Sequence, residues 1–329
     1  MSAIPQWAAR SPQTERKPAR PDKPTPPPSR RVKPPRTDGH DLYSRQVTRV
    51  ARTRDGVELQ YTLRAATGSA DGPRPRLALI HSLALDQHVW QPVAERLAAD
   101  VDILTYDCRG HGSSGRPPGP YSLAQFADDL ADLLDTVGWR TAAVAGASMG
   151  GSVAQAFATA HTERVLALGL VDTTAWYGPD APQRWAERAE QAQARGLASL
   201  VDFQVTRWFS DEFREQHPEV VERNTRVFVA NDIACYVATC HMLGAFDLRR
   251  AVAQLQVPTA VIVGEQDYAT PVEMARALHQ AIAGSSLHVL PATRHLSPLE
   301  QPDSIAHLLR ALVDREPGIE VVGEAELPS

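Results

Sequence analysis

A serine, an aspartate and a histidine carry the chemistry that this sequence advertises. Gly146-Ala147-Ser148-Met149-Gly150, followed by Gly151, stands between a short apolar run (residues 141–145) and a segment that reads as helix (residues 149–160). Strand, Gly-x-Ser-x-Gly, helix describes a turn so sharp that the serine hydroxyl stands clear of the backbone. Gly146 and Gly150 flank the serine where a Cβ would strike the opposite arm of the turn, and Gly151 lets the helix pack closely. The serine itself is expected to be strained. A serine hydroxyl is a poor nucleophile at neutral pH; it needs a general base, and the base needs an orienting acid. Downstream, loops that follow strands offer His295 as the base and Asp267 as the acid. His279 and His288 fall within a helix and a strand, and Glu265 and Asp172 are the alternative acids, Asp172 having a helix N-cap as its plainer role. Attack on an ester carbonyl builds negative charge on its oxygen. Two backbone N–H groups should meet that charge, one from Met149 and one from the loop after the third strand, where Leu83 is chosen.

These groups need a frame. The runs at 47–51, 57–64, 77–80, 101–106, 141–145, 165–171, 259–263 and 286–290 read as eight strands, the first two as a hairpin around Asp55-Gly56. Helical segments alternate with most of them (90–99, a helix capped by Ser122 and stopped at Gly138, 149–160, 271–282 with Pro271 in its first turn, and 302–313). The alternation predicts an α/β fold: a mostly parallel eight-stranded sheet with helices on both faces. It breaks after Asp172, where 173–251 reads as a helical cap inserted after the sixth strand. The cap's aromatic residues, with Trp176, Trp208 and Tyr236 as substrate-binding candidates beside His241, are expected to line a pocket. The domain reading is an arm over 1–40, core over 41–172 and 252–316, cap over 173–251 and a loose tail over 317–329.

Composition narrows the function. Residues 1–36 hold ten prolines and nine Lys/Arg against two Asp/Glu, while the whole chain carries a net charge of −5. The arm is read as disordered and partly polyproline-II, and the acidic body argues against a nucleic-acid partner. No apolar run is long enough for a bilayer, so no membrane role is expected. The N-terminus lacks the apolar core of an export signal, and Cys108, Cys235 and Cys240 form no metal pattern. A cytoplasmic setting and no metal follow as expectations. No P-loop or dinucleotide pattern appears, so no cofactor is expected. In Asp107-Cys108-Arg109-Gly110-His111-Gly112-Ser113-Ser114 the glycines suit a buttressing loop rather than catalysis by His111.

Taken together, residues from about Arg45 to Arg315 resemble the α/β-hydrolase superfamily, and within it the 3-oxoadipate enol-lactonases and cofactor-free haloperoxidase-like esterases. The resemblance is carried by His81-Ser82-Leu83-Ala84-Leu85-Asp86 with Trp90, by Asp107-x-Arg109-Gly110-His111-Gly112-x-Ser114, and by the cap stretches Arg207-Trp208-Phe209 and Cys235-Tyr236-x-x-x-Cys240. It implies Ser148, Asp267 and His295 as the triad and Leu83 and Met149 as oxyanion donors. Arg294 stands where the family usually has Gly, Ala84 replaces a glycine, and the proline-rich arm is no part of the pattern. The implied activity is serine hydrolysis of a small ester or lactone through an acyl-enzyme, by a monomer or homodimer. A carboxylated, 3-oxoadipate enol-lactone-like substrate would need a cation, for which Arg207, Arg226 and Arg294 are candidates. The alternatives are hydrolysis of a larger natural-product ester, thioester or C–C bond, and a non-catalytic binding protein on a hydrolase scaffold.

Overall fold

The computed structural model describes residues 48–68 and 74–314. The arm read over 1–40, the onset of order near Tyr43 and the tail over 317–329 lie outside the described residues.

Eight strands form one sheet in the order β1-β2-β4-β3-β5-β6-β7-β8. The hairpin pairs β1 (Thr48–Arg52) with β2 (Glu58–Arg64), and β2 runs antiparallel to β4 (Asp102–Tyr106). From there the sheet is parallel through β3 (Arg76–Ile80), β5 (Ala142–Ala147), β6 (Val165–Val171), β7 (Thr259–Gly264) and β8 (Ser286–Leu290). The interiors of β3, β5, β6 and β7 are apolar without interruption because both faces are covered. Strand alternation divides each run between two cores. Leu77, Leu79, Ala145 and Ile262 pack with α1 (Gln91–Leu97) and α12 (Pro302–Val313). Ala78, Ile80, Val144 and Val261 pack with α2 (Leu123–Thr136), α3 (Met149–Ala160) and α10 (Val272–Ala281). A short α11 (Ser297–Glu300) precedes α12.

Local signals account for most boundaries. Ser122 heads α2 in a capping box, its hydroxyl accepting from the Gln125 N–H while the Gln125 side chain accepts from the Ser122 N–H. The helix expected over 90–99 resolves into a 3-10 turn (Gln87–Trp90) capped by Asp86, then α1, which Pro92 initiates. Pro271 is the N-cap of α10 rather than part of its first turn. β5 continues past residue 145 to Ala147, because Gly146 and Ala147 remain paired with Leu170 and Val171. The strand therefore runs straight into Ser148.

Between β6 and β7 the chain leaves the sheet for α4 (Ala181–Arg195), α5 (Val201–Trp208), α6 (Asp211–Gln216), α7 (Pro218–Val229), α8 (Ile233–Ala245) and α9 (Arg249–Val252). Gly244 lets α4 and α8 meet closely: a Cβ there would lie 3.0 Å from the Trp185 Cβ. These helices bond to the loops after β3, β6 and β8, through Ala84, Ala175 and His295 respectively. They thus cover the C-terminal ends of the parallel strands, where ligands bind in open α/β sheets.

Candidate active site

β5 delivers Ser148. The serine N–H donates to the Val171 carbonyl at 2.9 Å, and its carbonyl accepts from Thr173 Oγ1 at 2.8 Å, so the turn is stitched to the end of β6. At φ +54° and ψ −116° the residue lies outside the favoured regions, a strain that persists only where surroundings enforce it. Close packing enforces it. A Cβ on Gly146 would lie 2.0 Å from the Gly150 carbonyl oxygen, and one on Gly150 would lie 2.2 Å from that of Ile80.

Three side chains from three loops form a hydrogen-bonded line. Ser148 Oγ–H donates to His295 Nε2 at 2.8 Å, and His295 Nδ1–H donates to Asp267 Oδ2 at 2.7 Å. Asp267 Oδ1 accepts the N–H groups of Ala269 (2.7 Å) and Thr270 (3.0 Å), while Oδ2 also accepts Thr270 Oγ1 at 2.8 Å. A carboxylate so fixed in place holds the imidazole with its proton on Nδ1, leaving Nε2 to accept. Burial alone would lower the His295 pKa, but the charge and hydrogen bond of Asp267, with Asp172 adding to them, outweigh it, and the net shift is upward. Of the alternative acids, Asp172 is fully buried and engaged elsewhere, accepting from Gly264 N–H (3.0 Å) and from Ser297 N–H (3.1 Å) and Oγ (2.6 Å). Burial and the Asp267 charge push its pKa well up. Glu265 accepts the Ala292 N–H at 3.0 Å, an exposed contact.

The cap helps to hold the histidine. The carbonyls of Arg207 and Trp208, at the end of α5, accept the N–H groups of His295 (3.3 Å) and Leu296 (3.0 Å). Arg294 caps the same helix end, its Nη1 donating to the carbonyls of Thr206 (2.8 Å) and Phe209 (2.9 Å). The arginine that replaces the family's glycine is therefore committed to joining cap and core.

Opposite the histidine stands the loop after β3, whose strand pairs with β5 on its other edge. The N–H groups of Leu83 and Met149 have no acceptor among the described residues. Ala84 adopts φ +56°, the conformation a glycine would take, and its carbonyl accepts Asn231 Nδ2 from the cap at 2.7 Å. The loop shape thus survives loss of the glycine.

The expected cap residues fare differently. Trp208 and Tyr236 are buried in an aromatic cluster with Phe228, their ring centroids 5.4 and 5.9 Å from it. Trp176 is half-buried beneath the Arg249 guanidinium, 3.6 Å from its ring centre. Its neighbour Tyr177 is buried, its ring edge-on against Trp185 and Phe246. His241 is a correction: it is exposed, on the side of α8 that also exposes Ile233 and Ala245, while Cys240 and Met242 face inward. Of the arginines, Arg226 is exposed and paired with Glu222, and Arg207 bonds the Tyr268 carbonyl. Sequence reasoning missed Arg188. It lies over the Trp185 ring, donates through Nε to Tyr236 Oη at 2.6 Å, and has no carboxylate partner among the described residues. His111 is sealed; burial and the neighbouring His81 push its imidazole down to about 3, so it is neutral, and its ring nitrogen bonds the Arg109 carbonyl rather than any residue of the line above. Among the described residues no group of His, Cys, Asp and Glu is placed to hold a metal ion, and no single helix is long and apolar enough to cross a membrane.

Comparison with known proteins agrees with this architecture. A family model described as the alpha/beta hydrolase family matches residues 77–308. The chain is 34% identical over 263 residues to 3-oxoadipate enol-lactonase 2 of Acinetobacter baylyi, covering 80% of this chain and 96% of the relative. It is 29% identical to 3-oxoadipate enol-lactonase 1 of the same organism, covering 74% and 91%. Among solved structures, the enol-lactonase from Burkholderia xenovorans LB400 superposes with a TM-score of 0.76 at 33% identity, covering 81% of this chain and all of that one. A serine on a tight turn between strand and helix, an eight-stranded sheet and a matching family model over most of its length place the conclusion beyond resemblance: the chain belongs to the α/β hydrolase family.

Proposed function

We propose that this protein is a serine hydrolase that opens a small ester or lactone through an acyl-enzyme, with a substrate that carries a carboxylate. The observation that carries the reading is the unbroken line from Ser148 Oγ through the His295 imidazole to Asp267. His295 takes the serine proton as Oγ attacks, Asp267 stabilises the resulting imidazolium, and the N–H groups of Leu83 and Met149 receive the oxyanion. Collapse of that intermediate releases the alcohol or enol. Water activated by His295 then frees the acid. A carboxylated substrate is supported by the enol-lactonase relatives and by Arg188, a cap guanidinium bonded to Tyr236 and without a carboxylate partner among the described residues.

The test is covalent. A fluorophosphonate should add to wild-type protein at Ser148, seen as one adduct by mass spectrometry, and should leave Ser148→Ala unlabelled; labelling of the variant would defeat the assignment. With the same protein, a lactone bearing a free carboxylate should show a higher kcat/KM than its methyl ester. A pH profile adds a signed expectation. The base must be neutral to accept a proton, and the His295 pKa lies above the ordinary histidine value. Activity should therefore be present at high pH and lost as pH falls through a midpoint above about 6.5. A kcat/KM profile flat down to pH 5 would exclude His295 as the base.

A further inference from the structure

His81, the residue directly after β3, is fully buried, yet the triad and the oxyanion donors leave it without a role. Both of its ring nitrogens are engaged, by partners whose roles cannot be exchanged. The Cys108 backbone N–H donates to Nε2 at 2.9 Å. Nδ1 lies 2.8 Å from the Ser82 carbonyl oxygen. A backbone N–H can only donate and a carbonyl oxygen can only accept, so Nε2 is bare and Nδ1 carries the proton. Burial lowers the pKa of this imidazole, in keeping with a neutral ring. The His111 ring packs against it, 5.3 Å between centroids. The loop after β4, which carries Cys108 and His111, thus selects one tautomer of a residue on the loop after β3.

The carbonyl that His81 holds belongs to the same peptide unit as the Leu83 N–H. In a planar trans unit the C=O and the N–H point in opposite directions. The Ser82 oxygen accepts His81 Nδ1–H and, at 3.2 Å, the Leu85 N–H, which uses both of its lone pairs. Fixing that oxygen fixes the Leu83 N–H on the other side, where it has no acceptor among the described residues. The Ser82 hydroxyl donates to the Ala147 carbonyl at 3.3 Å, so the unit lies beside the residue that precedes Ser148. We propose that His81 is a positioning residue for the oxyanion site: held as a donor by the Cys108 N–H, its Nδ1–H locks the Ser82–Leu83 peptide with the Leu83 N–H turned toward the reacting carbonyl. The inference rests on Ser148 being the nucleophile and Leu83 an oxyanion donor.

A peptide unit in a turn can flip by compensating changes in the two dihedrals that flank it. A flip here would put the Ser82 oxygen where the Leu83 N–H stood, and a carbonyl dipole would then repel the oxyanion it should stabilise. Side chains hold alternate carbonyls along this loop. Trp90 Nε1–H donates to that of Ile80 at 2.9 Å, His81 to that of Ser82, and Asn231 Nδ2 from the cap to that of Ala84 at 2.7 Å. Of the three, only the bond from His81 falls on the peptide unit that contains the Leu83 N–H. His81 does this without touching substrate and without exchanging a proton.

The experiment compares His81→Asn with His81→Gln on para-nitrophenyl acetate and its thionoester. An asparagine amide reaches about where Nδ1 stood and can still donate to the Ser82 carbonyl. A glutamine amide reaches about where Nε2 stood and keeps only the Cys108 contact. Sulfur is a weak acceptor, so turnover of the thionoester depends little on the Leu83 N–H. In His81→Gln, kcat/KM for the oxygen ester should fall about 30-fold, part of the roughly 100- to 1,000-fold that follows loss of one such donor, while the thionoester should change less than about threefold. His81→Asn should stay within about threefold of wild type on both. Equal losses on both substrates in His81→Gln would mark a packing role and overturn the proposal, as would an unchanged ratio or the same pattern in both variants. A measurement on wild type needs no variant to fold: nitrogen-15 spectra of histidine-labelled protein should show His81 with a protonated Nδ1 and a bare Nε2 throughout the pH range of activity, and a protonated Nε2 would sink the idea. Loss of turnover in Ser148→Ala and a wild-type preference for the oxygen ester test the underlying reading separately. If both hold while His81→Gln leaves the ratio unmoved, only the role of His81 falls; if wild type shows no preference, the oxyanion site falls with it.

Discussion

His295→Ala should lower kcat by about a millionfold, as far as Ser148→Ala, because the two act as one unit and removal of either leaves nothing for the other to do. Asp267→Asn should cost less, on the order of ten-thousandfold, and for a tautomeric reason. Asp267 Oδ1 accepts two backbone N–H groups, from Ala269 and Thr270. An asparagine would keep its carbonyl oxygen on those donors, which turns its amide NH2 toward His295. Donation to Nδ1 then places the imidazole proton on Nε2, where it faces the serine and cannot accept. The fold should be retained, since the amide replaces the carboxylate nearly atom for atom. Steady-state kcat on one ester, with melting curves for all variants, checks both values. Asp172→Asn is the decisive control. Its carboxyl touches Gly264 and Ser297 rather than the imidazole, so it should cost far less than Asp267→Asn; the reverse order would reassign the acid.

How much of this could be read from the chain alone follows from how local each cause is. The Ser148 turn was legible because its signals lie within six residues: a strand end, a glycine two places before and two places after the serine, and a helix start. Asp267 and His295 could be picked out because each lies in a loop that follows a sheet strand. The cap was legible as helices but not in its phase. α8 presents apolar residues on every side, Ile233 and Ala245 outward as well as Tyr236 and Leu243 inward, so nothing in the sequence said that His241 faces water. Trp176 and Tyr177 are adjacent in an aperiodic loop, and which of them turns inward is decided by Trp185 and Phe246, residues of other segments. Arg188 was hidden in a helix crowded with charge, where only the absence of a carboxylate neighbour sets it apart. Arg294 read as an anomaly because its partners, the carbonyls ending α5, are more than eighty residues away in the chain.

Gly146→Ala is expected to be the most damaging single methyl group added near the site. The new Cβ would stand 2.0 Å from the Gly150 carbonyl oxygen, 2.2 Å from its carbon and 2.6 Å from the Gly151 nitrogen. All three atoms are backbone, so no side chain can swing aside; β5 and α3 must part. Overpacking of this kind costs about 3 kcal/mol or more, a large share of the roughly 5–15 kcal/mol that holds a domain together. A melting temperature lower by roughly 6–12 °C follows for a domain of this size. Gly138→Ala supplies the contrast. Its φ of +72° is unfavourable for alanine, yet nothing lies within 4 Å of the added Cβ, so only the conformational cost of about 1–2 kcal/mol applies. The two variants separate collision from strain. Gly138→Ala should melt slightly earlier and keep its kcat, while Gly146→Ala should lose both, because parting β5 from α3 carries Ser148 away from His295. A Gly146→Ala protein with wild-type melting and turnover would show that the turn tolerates a side chain there, and that the strain at Ser148 has some other origin than the tight approach of these two backbones.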